Sequence, residues 1–220
     1  MSLIAGIDMG TTSVKISLFN IERKETIESN QIKYEFKVNQ ELNKFPDYCQ
    51  QNISTIIGSI QKCFKKFDSN VRQKIKLISI CGQMHGCVLW DNNSFYEYDI
   101  KNKEFSVKES VSDLYNWMDN RCSPSFLASL PVPDSYVSQI SSGFGCATIF
   151  WLNKNSTDFL KRFNSSGTLM DLIIAILCGL KKPVMSEQNA TSWGYFDPIS
   201  HSWNQKMSEL TLFQLFRFIH

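Results

Sequence analysis

An apolar run (Leu3, Ile4, Ala5, Ile7) leads into Asp8, a Gly-Thr-Thr-Ser turn follows, and a second run alternates as Val14, Ile16 and Leu18. Period-two alternation predicts two strands joined by a tight turn, with an extended segment after them near 25–38. Between Tyr48 and Phe67 the period changes. Ile53, Ile56, Ile57, Ile60, Cys63 and Phe64 recur at helical spacing and predict an amphipathic helix. IKLISIC (75–81) reads as a largely buried strand, GQMHG (82–86) as a loop, and CVLWD (87–91) as another strand. Residues 92–115 turn polar and predict an insertion or long loop. FGCATIFWL (144–152) and LMDLIIAILCGL (169–180) predict helices, the second ended by Gly179 and followed by Pro183. The order β-β-β-α-β differs from the strict β-α-β alternation of a doubly wound nucleotide fold.

Composition narrows the class. The chain has 220 residues, 43% hydrophobic and 20% charged, the profile of a globular protein with one large domain or two small ones. Its net charge is +2 and its 23 basic residues form no long run, so no nucleic-acid partner is expected. No uninterrupted apolar stretch approaches about 18 residues, so no membrane span is expected. Asp8 interrupts the only candidate for a signal-type apolar core. The seven cysteines are odd in number and include no CxxC pair, which reads as reduced, mostly core thiols and a cytoplasmic protein.

The turn at Gly10 carries candidate chemistry. Gly10 lets the backbone approach a ligand closely. Successive N–H groups over Gly10–Ser13, with the hydroxyls of Thr11, Thr12 and Ser13, would form a donor-lined hollow suited to phosphate oxygens. Asp8, just before it, suits a divalent cation that offsets nucleotide charge. No GxxxxGK[ST] loop is present. The alternative is a hairpin whose Gly and Thr serve only the turn. Lys15 stands on the next strand and faces either phosphate or solvent.

GIDMGTTSVK (6–15) resembles the first phosphate motif of the actin and hexokinase superfamily, and more narrowly that of the FGGY carbohydrate kinases. SICGQMHGCVLWD (79–91), NWMDNRC (116–122) and MSEQNATSWGYFDPISHSW (185–203) resemble three further FGGY segments, in family order and spacing. The resemblance implies an α/β, ribonuclease-H-like domain with a mixed sheet flanked by helices. It implies ATP and Mg²⁺ as cofactors, with Asp8 as the metal and phosphate acid and Gly10, Thr11, Thr12, Ser13 and Lys15 around the nucleotide phosphates.

It also implies a sugar site built from Gln83, Met84, His85, Gly86, Trp117, Asp119, Arg121 and Asn189. A loop imidazole at His85 would hydrogen-bond sugar hydroxyls. The Trp117 indole would lie on a carbon face of the sugar, and Asp119 would accept from hydroxyls. The competing readings are a structural His85, an Arg121 that simply pairs with Asp119, and an Asn189 that caps its turn.

The Met84–His85 pair, with RCSPSFLASLP, SGFGCATIFWL and SEQNATSWGYF, points within the family to ketose kinases, sedoheptulose ahead of xylulose. Residues 1–220 then form an N-terminal domain. The base aspartate and the adenosine motif are expected in a C-terminal ATP-binding domain that this chain lacks. The other class of reading is a non-catalytic sugar- or phosphate-binding module with the kinase fold.

Overall fold

The structure is a computed structural model and describes residues 2–34, 48–133 and 139–204. In chain order its elements are β1 (Leu3–Met9), β2 (Ser13–Asn20), β3 (Glu25–Lys33), β4 (Gln50–Gln51), α1 (Ile53–Lys65), α2 (Ser69–Arg72), β5 (Ile75–Gly82), β6 (Val88–Trp90), β7 (Tyr96–Asp99) and β8 (Glu104–Val107). There follow β9 (Leu114–Tyr115), α3 (Pro124–Ala128), α4 (Gly145–Asn155), α5 (Thr157–Leu160), β10 (Ser165–Gly167), α6 (Leu169–Cys178), α7 (Glu187–Trp193), β11 (Phe196–Asp197) and β12 (Ser202–Trp203). Contacts divide the chain into two units: Met1–Phe36, Asn52–Gln83 and Tyr96–Val107 in the first, and Lys37–Gln51, Met84–Phe95 and Lys108–His220 in the second.

The first unit is a mixed sheet in the order β3-β2-β1-β5, antiparallel except for the parallel β1–β5 ladder. The alternation read from the sequence becomes one buried face: Leu3, Ala5, Ile7, Val14, Ile16 and Leu18. The amphipathic helix begins where the Asn52 side chain accepts from the Thr55 N–H at 3.0 Å, and it packs on β2 and β3 with Ile53, Ile56, Ile57 and Ile60 inward. Of the expected extended segment, 25–33 is β3, while 35–38 lies outside the described residues.

Two expectations change here. Residues 92–115, expected as an insertion or long loop, carry regular structure: β7 and β8 form a hairpin on α1, and β9 follows. Gln61 fixes the hairpin by exchanging two hydrogen bonds with the Phe105 backbone, at 2.7 and 3.0 Å. The strand at 75–81 is real but not buried: Leu77 is 57% and Ile78 41% exposed. The reason is position. Among the described residues β5 pairs only with β1 and forms the edge of the sheet, while α1 covers β2 and β3.

The second unit packs α4 into an apolar cluster with Cys87, Leu89, Tyr115, Trp193 and Tyr195. β6 pairs with β10, and β4 with β9. α6 starts in a reciprocal cap between Thr168 and Asp171 and stops at Gly179, whose φ of 62° lies in the left-handed region. Cys87, Cys122 and Cys146 are core residues as expected, whereas Cys81 and Cys178 are exposed. Among the described residues no helix is long and apolar enough to cross a membrane.

Candidate functional site

In the first unit β1 delivers Asp8 to an exposed position beside the turn. The antiparallel register sets Lys15 directly across from Asp8, so both side chains leave the same face of the sheet. The parallel register sets Cys81 across from Asp8 on the other side. The turn is closed by the Gly10 N–H donating to the Ser13 carbonyl at 2.9 Å. Gln31 Nε2 donates to Ser13 Oγ at 2.9 Å, which leaves the hydroxyl proton of Ser13 to donate elsewhere.

Tyr34 locks this turn from a distance. Its N–H donates to the Thr12 carbonyl at 3.0 Å, and its hydroxyl donates to the Gly10 carbonyl. Burial, and after it the Asp8 carboxylate, push the Tyr34 phenol up to about 12. The same two causes push the Cys81 thiol upward. The described residues hold no group of three or more His, Cys, Asp or Glu that could cage a metal. Asp8 offers a carboxylate beside the turn. One carboxylate completed by water and phosphate oxygens is a donor set that Mg²⁺ accepts, so the residues fit that ion.

In the second unit, Met84–His85–Gly86 is a γ-turn. The Gly86 N–H donates to the Met84 carbonyl at 2.8 Å across His85, whose φ is 70°. A side chain is rarely held in that conformation and needs support from its surroundings. Support comes from three contacts. His85 Nδ1 lies 2.6 Å from the Ser192 carbonyl, and its ring stacks on Phe144 with centroids 4.6 Å apart. Trp193 Nε1 donates to the Gly86 carbonyl at 3.1 Å. A Cβ on Gly86 would sit 2.8 Å from the Tyr115 carbonyl, so only glycine fits there. Since a carbonyl only accepts, Nδ1 carries the proton, and a neutral His85 presents Nε2 as an acceptor. In the first unit, buried Gln83 just after β5 donates its N–H to the Met9 carbonyl at 2.9 Å.

Asp119 and Arg121 are elsewhere engaged, which corrects their expected sugar contacts. Asp119 is 0% exposed. Its Oδ1 accepts from Arg121 Nε at 2.7 Å and from the Arg121 N–H at 3.1 Å, and its Oδ2 accepts from Arg121 Nη2 at 2.8 Å and from the Cys49 N–H at 2.8 Å. With two donors on each oxygen, no position is left for a hydroxyl. The pair is structural: it ties 116–122 to the segment at Tyr48–Cys49, and the guanidinium lies over the rings of Tyr48 and Tyr115 at 4.4 and 4.3 Å. Trp117 differs, with 47% exposure.

Asn189 is divided. Its Nδ2 donates to Thr168 Oγ1 and Asp171 Oδ1, at 3.2 and 3.0 Å, fastening α7 to the start of α6. Its Oδ1 accepts no hydrogen bond among the described residues. Burial pushes the Asp171 carboxyl upward. Tyr34, Phe144, Ser192 and Trp193 were not singled out from the sequence. An aromatic between two glycines at Gly143–Gly145 was a usable signal for Phe144. Nothing local marks Tyr34.

The sequence profile of the FGGY family of carbohydrate kinases, N-terminal domain, matches residues 3–214. The chain belongs to this family. A sedoheptulokinase of Mus musculus is 41% identical over 206 residues, covering 90% of this chain and 43% of the relative, and that of Homo sapiens is 39% identical over 207 residues with the same coverage. This FGGY chain thus spans less than half the length of those relatives. A Plasmodium falciparum glycerol kinase crystallised with ADP superposes with a TM-score of 0.77 at 18% identity, over 100% of this chain and 42% of that one. A ligand-bound xylulose kinase of Lactobacillus acidophilus superposes with a TM-score of 0.70 at 19% identity, over 96% and 40%. Both likenesses show the actin-like kinase fold.

Proposed function

We propose that this chain is the sugar-binding part of an ATP-dependent ketose kinase that converts sedoheptulose to sedoheptulose 7-phosphate. The observation that carries the reading is 41% identity to a sedoheptulokinase over 90% of the chain. In this reading the Gly10–Ser13 turn receives phosphate oxygens and Asp8 holds Mg²⁺, which supplies charge neutralisation as the γ-phosphoryl group transfers. Lys15, on the same face as Asp8, adds positive charge toward the nucleotide. His85 Nε2 accepts from a sugar hydroxyl, Asn189 Oδ1 accepts from a second, and the exposed Trp117 indole offers a flat apolar face to the carbon chain. The proton acceptor and the adenosine pocket belong to the longer polypeptide that the relatives' lengths suggest, and the site is cytoplasmic.

A pentulose substrate is the second reading, favoured by a xylulose kinase of Escherichia coli (strain K12) that is 23% identical over 207 residues. The test is a coupled ADP assay of the full-length enzyme with sedoheptulose and xylulose. A higher kcat/KM for sedoheptulose is expected. A preference for xylulose would replace the substrate, and ADP production indifferent to any ketose would overturn the kinase reading.

A further inference from the structure

A cavity of about 670 Å³ opens in the second unit, away from the His85 turn in its lining residues. The volume lies in the usual range for small-molecule sites. Its walls are aromatic: Tyr48, Tyr115, Trp151, Phe159 and Phe163. Tyr48 meets Trp151 edge-on at 5.7 Å and Phe159 meets Phe163 edge-on at 5.0 Å, so the rings hold each other in place. Arg121 forms part of the wall although only 7% exposed. Asp119 takes its Nε and one Nη2 hydrogen, and Nη1 makes no hydrogen bond among the described residues. Nη1 retains accessible surface, so an acceptor on a ligand in the cavity can take the place of water on it.

The charges specify the ligand further. Arg162 lies over Phe159 and Phe163 at 5.6 and 5.7 Å, and Glu109 and Asp113 also line the cavity. The lining thus holds two acidic and two basic residues, and Asp119 behind Arg121 already neutralises one of the latter. No net positive field therefore remains for a phosphate or carboxylate. Fixed donors and acceptors around flat apolar rings suit a neutral ring that bears hydroxyls along its edge and C–H groups on its faces. We propose that this cavity is a second carbohydrate site, which binds a neutral cyclic sugar and is distinct from the site of the transferred phosphoryl group.

The probes are methyl β-D-glucopyranoside, methyl β-D-galactopyranoside and methyl β-D-ribofuranoside, with adenosine and a sugar phosphate as contrasts, followed on the full-length protein by saturation-transfer NMR and calorimetry. At least one glycoside is expected to bind. Its affinity should be unchanged in His85→Ala and reduced about three- to tenfold in both Phe159→Ala and Arg162→Ala. Arg162 is exposed, so its variant tests the site even if Phe159→Ala fails to fold. Binding lost in His85→Ala would assign the glycoside to the first site. Binding of none of the glycosides, of adenosine or the sugar phosphate alone, or equal binding by wild type and both cavity variants would overturn the proposal.

Discussion

The imidazole of His85 lies parallel to the ring of Phe144, with an interplanar angle of 2° and centroids 4.6 Å apart. With Nδ1 held by the Ser192 carbonyl, the ring is fixed in position and in tautomer. A side chain oriented this fully costs little entropy when it binds a hydroxyl, which is how a strained γ-turn becomes useful.

His85→Ala in the full-length kinase should therefore lower kcat/KM for sedoheptulose by about five- to 150-fold, the equivalent of roughly 1–3 kcal/mol. ATP binding should be retained. Phe144→Ala should give a smaller loss of the same kind, since it frees the ring without removing it. Steady-state kinetics and nucleotide titration check both, and wild-type efficiency in His85→Ala would remove the residue from the sugar site.

Asp8→Asn keeps the size of the side chain and removes its charge. Turnover should fall by at least about a hundredfold, through loss of charge stabilisation opposite the transferring group. Because Asp8 is exposed, the melting temperature should stay close to that of the wild type. A sharp fall in melting temperature with unchanged activity per folded molecule would make Asp8 a turn residue only.

Tyr34→Phe deletes the hydroxyl that donates to the Gly10 carbonyl and should slow phosphoryl transfer about two- to tenfold by loosening the turn. Folding raises this phenol from its ordinary value of 10.0 to about 12, through burial and then Asp8. The folded state thus holds the proton more tightly than the unfolded chain does. The stability tied to this group is whole below pH 10 and is lost as pH climbs through about 12. Denaturant melts across that range should show wild type losing stability relative to Tyr34→Phe.

Gly145→Ala places a Cβ inside the ring of Trp193, which is fully buried. Neither side can yield cheaply, and about 1–3 kcal/mol of stability should be lost. Because Trp193 also holds Gly86, the affinity for ketose should fall along with the denaturation midpoint. A variant with wild-type midpoint and affinity would show that the ring moves aside freely.

Much of this was legible in the sequence because the signals were local. Alternation at Val14–Leu18 placed the hairpin, and the helical spacing of Ile53, Ile56, Ile57 and Ile60 placed α1. The Gly-Thr-Thr-Ser turn marked the phosphate candidate. What could not be read depended on residues distant in sequence. Apolar residues in β5 looked buried because composition reports the character of a strand and not its place in a sheet. Asp119 looked like a hydroxyl acceptor because its second oxygen is claimed by Cys49, seventy residues earlier. Tyr34 reaches Gly10 across 24 residues and leaves no pattern around itself. The polar stretch 92–115 hid a hairpin whose anchor, Gln61, lies on α1.

The two compact units are each assembled from three separate stretches of chain, so the polypeptide passes from one to the other repeatedly. No single cut isolates either of them, and no contiguous gene segment encodes one without part of the other. A single crossover therefore cannot exchange one whole unit and leave the other intact. Neither the unit that holds the Gly10–Ser13 turn nor the one that holds the His85 turn can be transplanted as one contiguous piece.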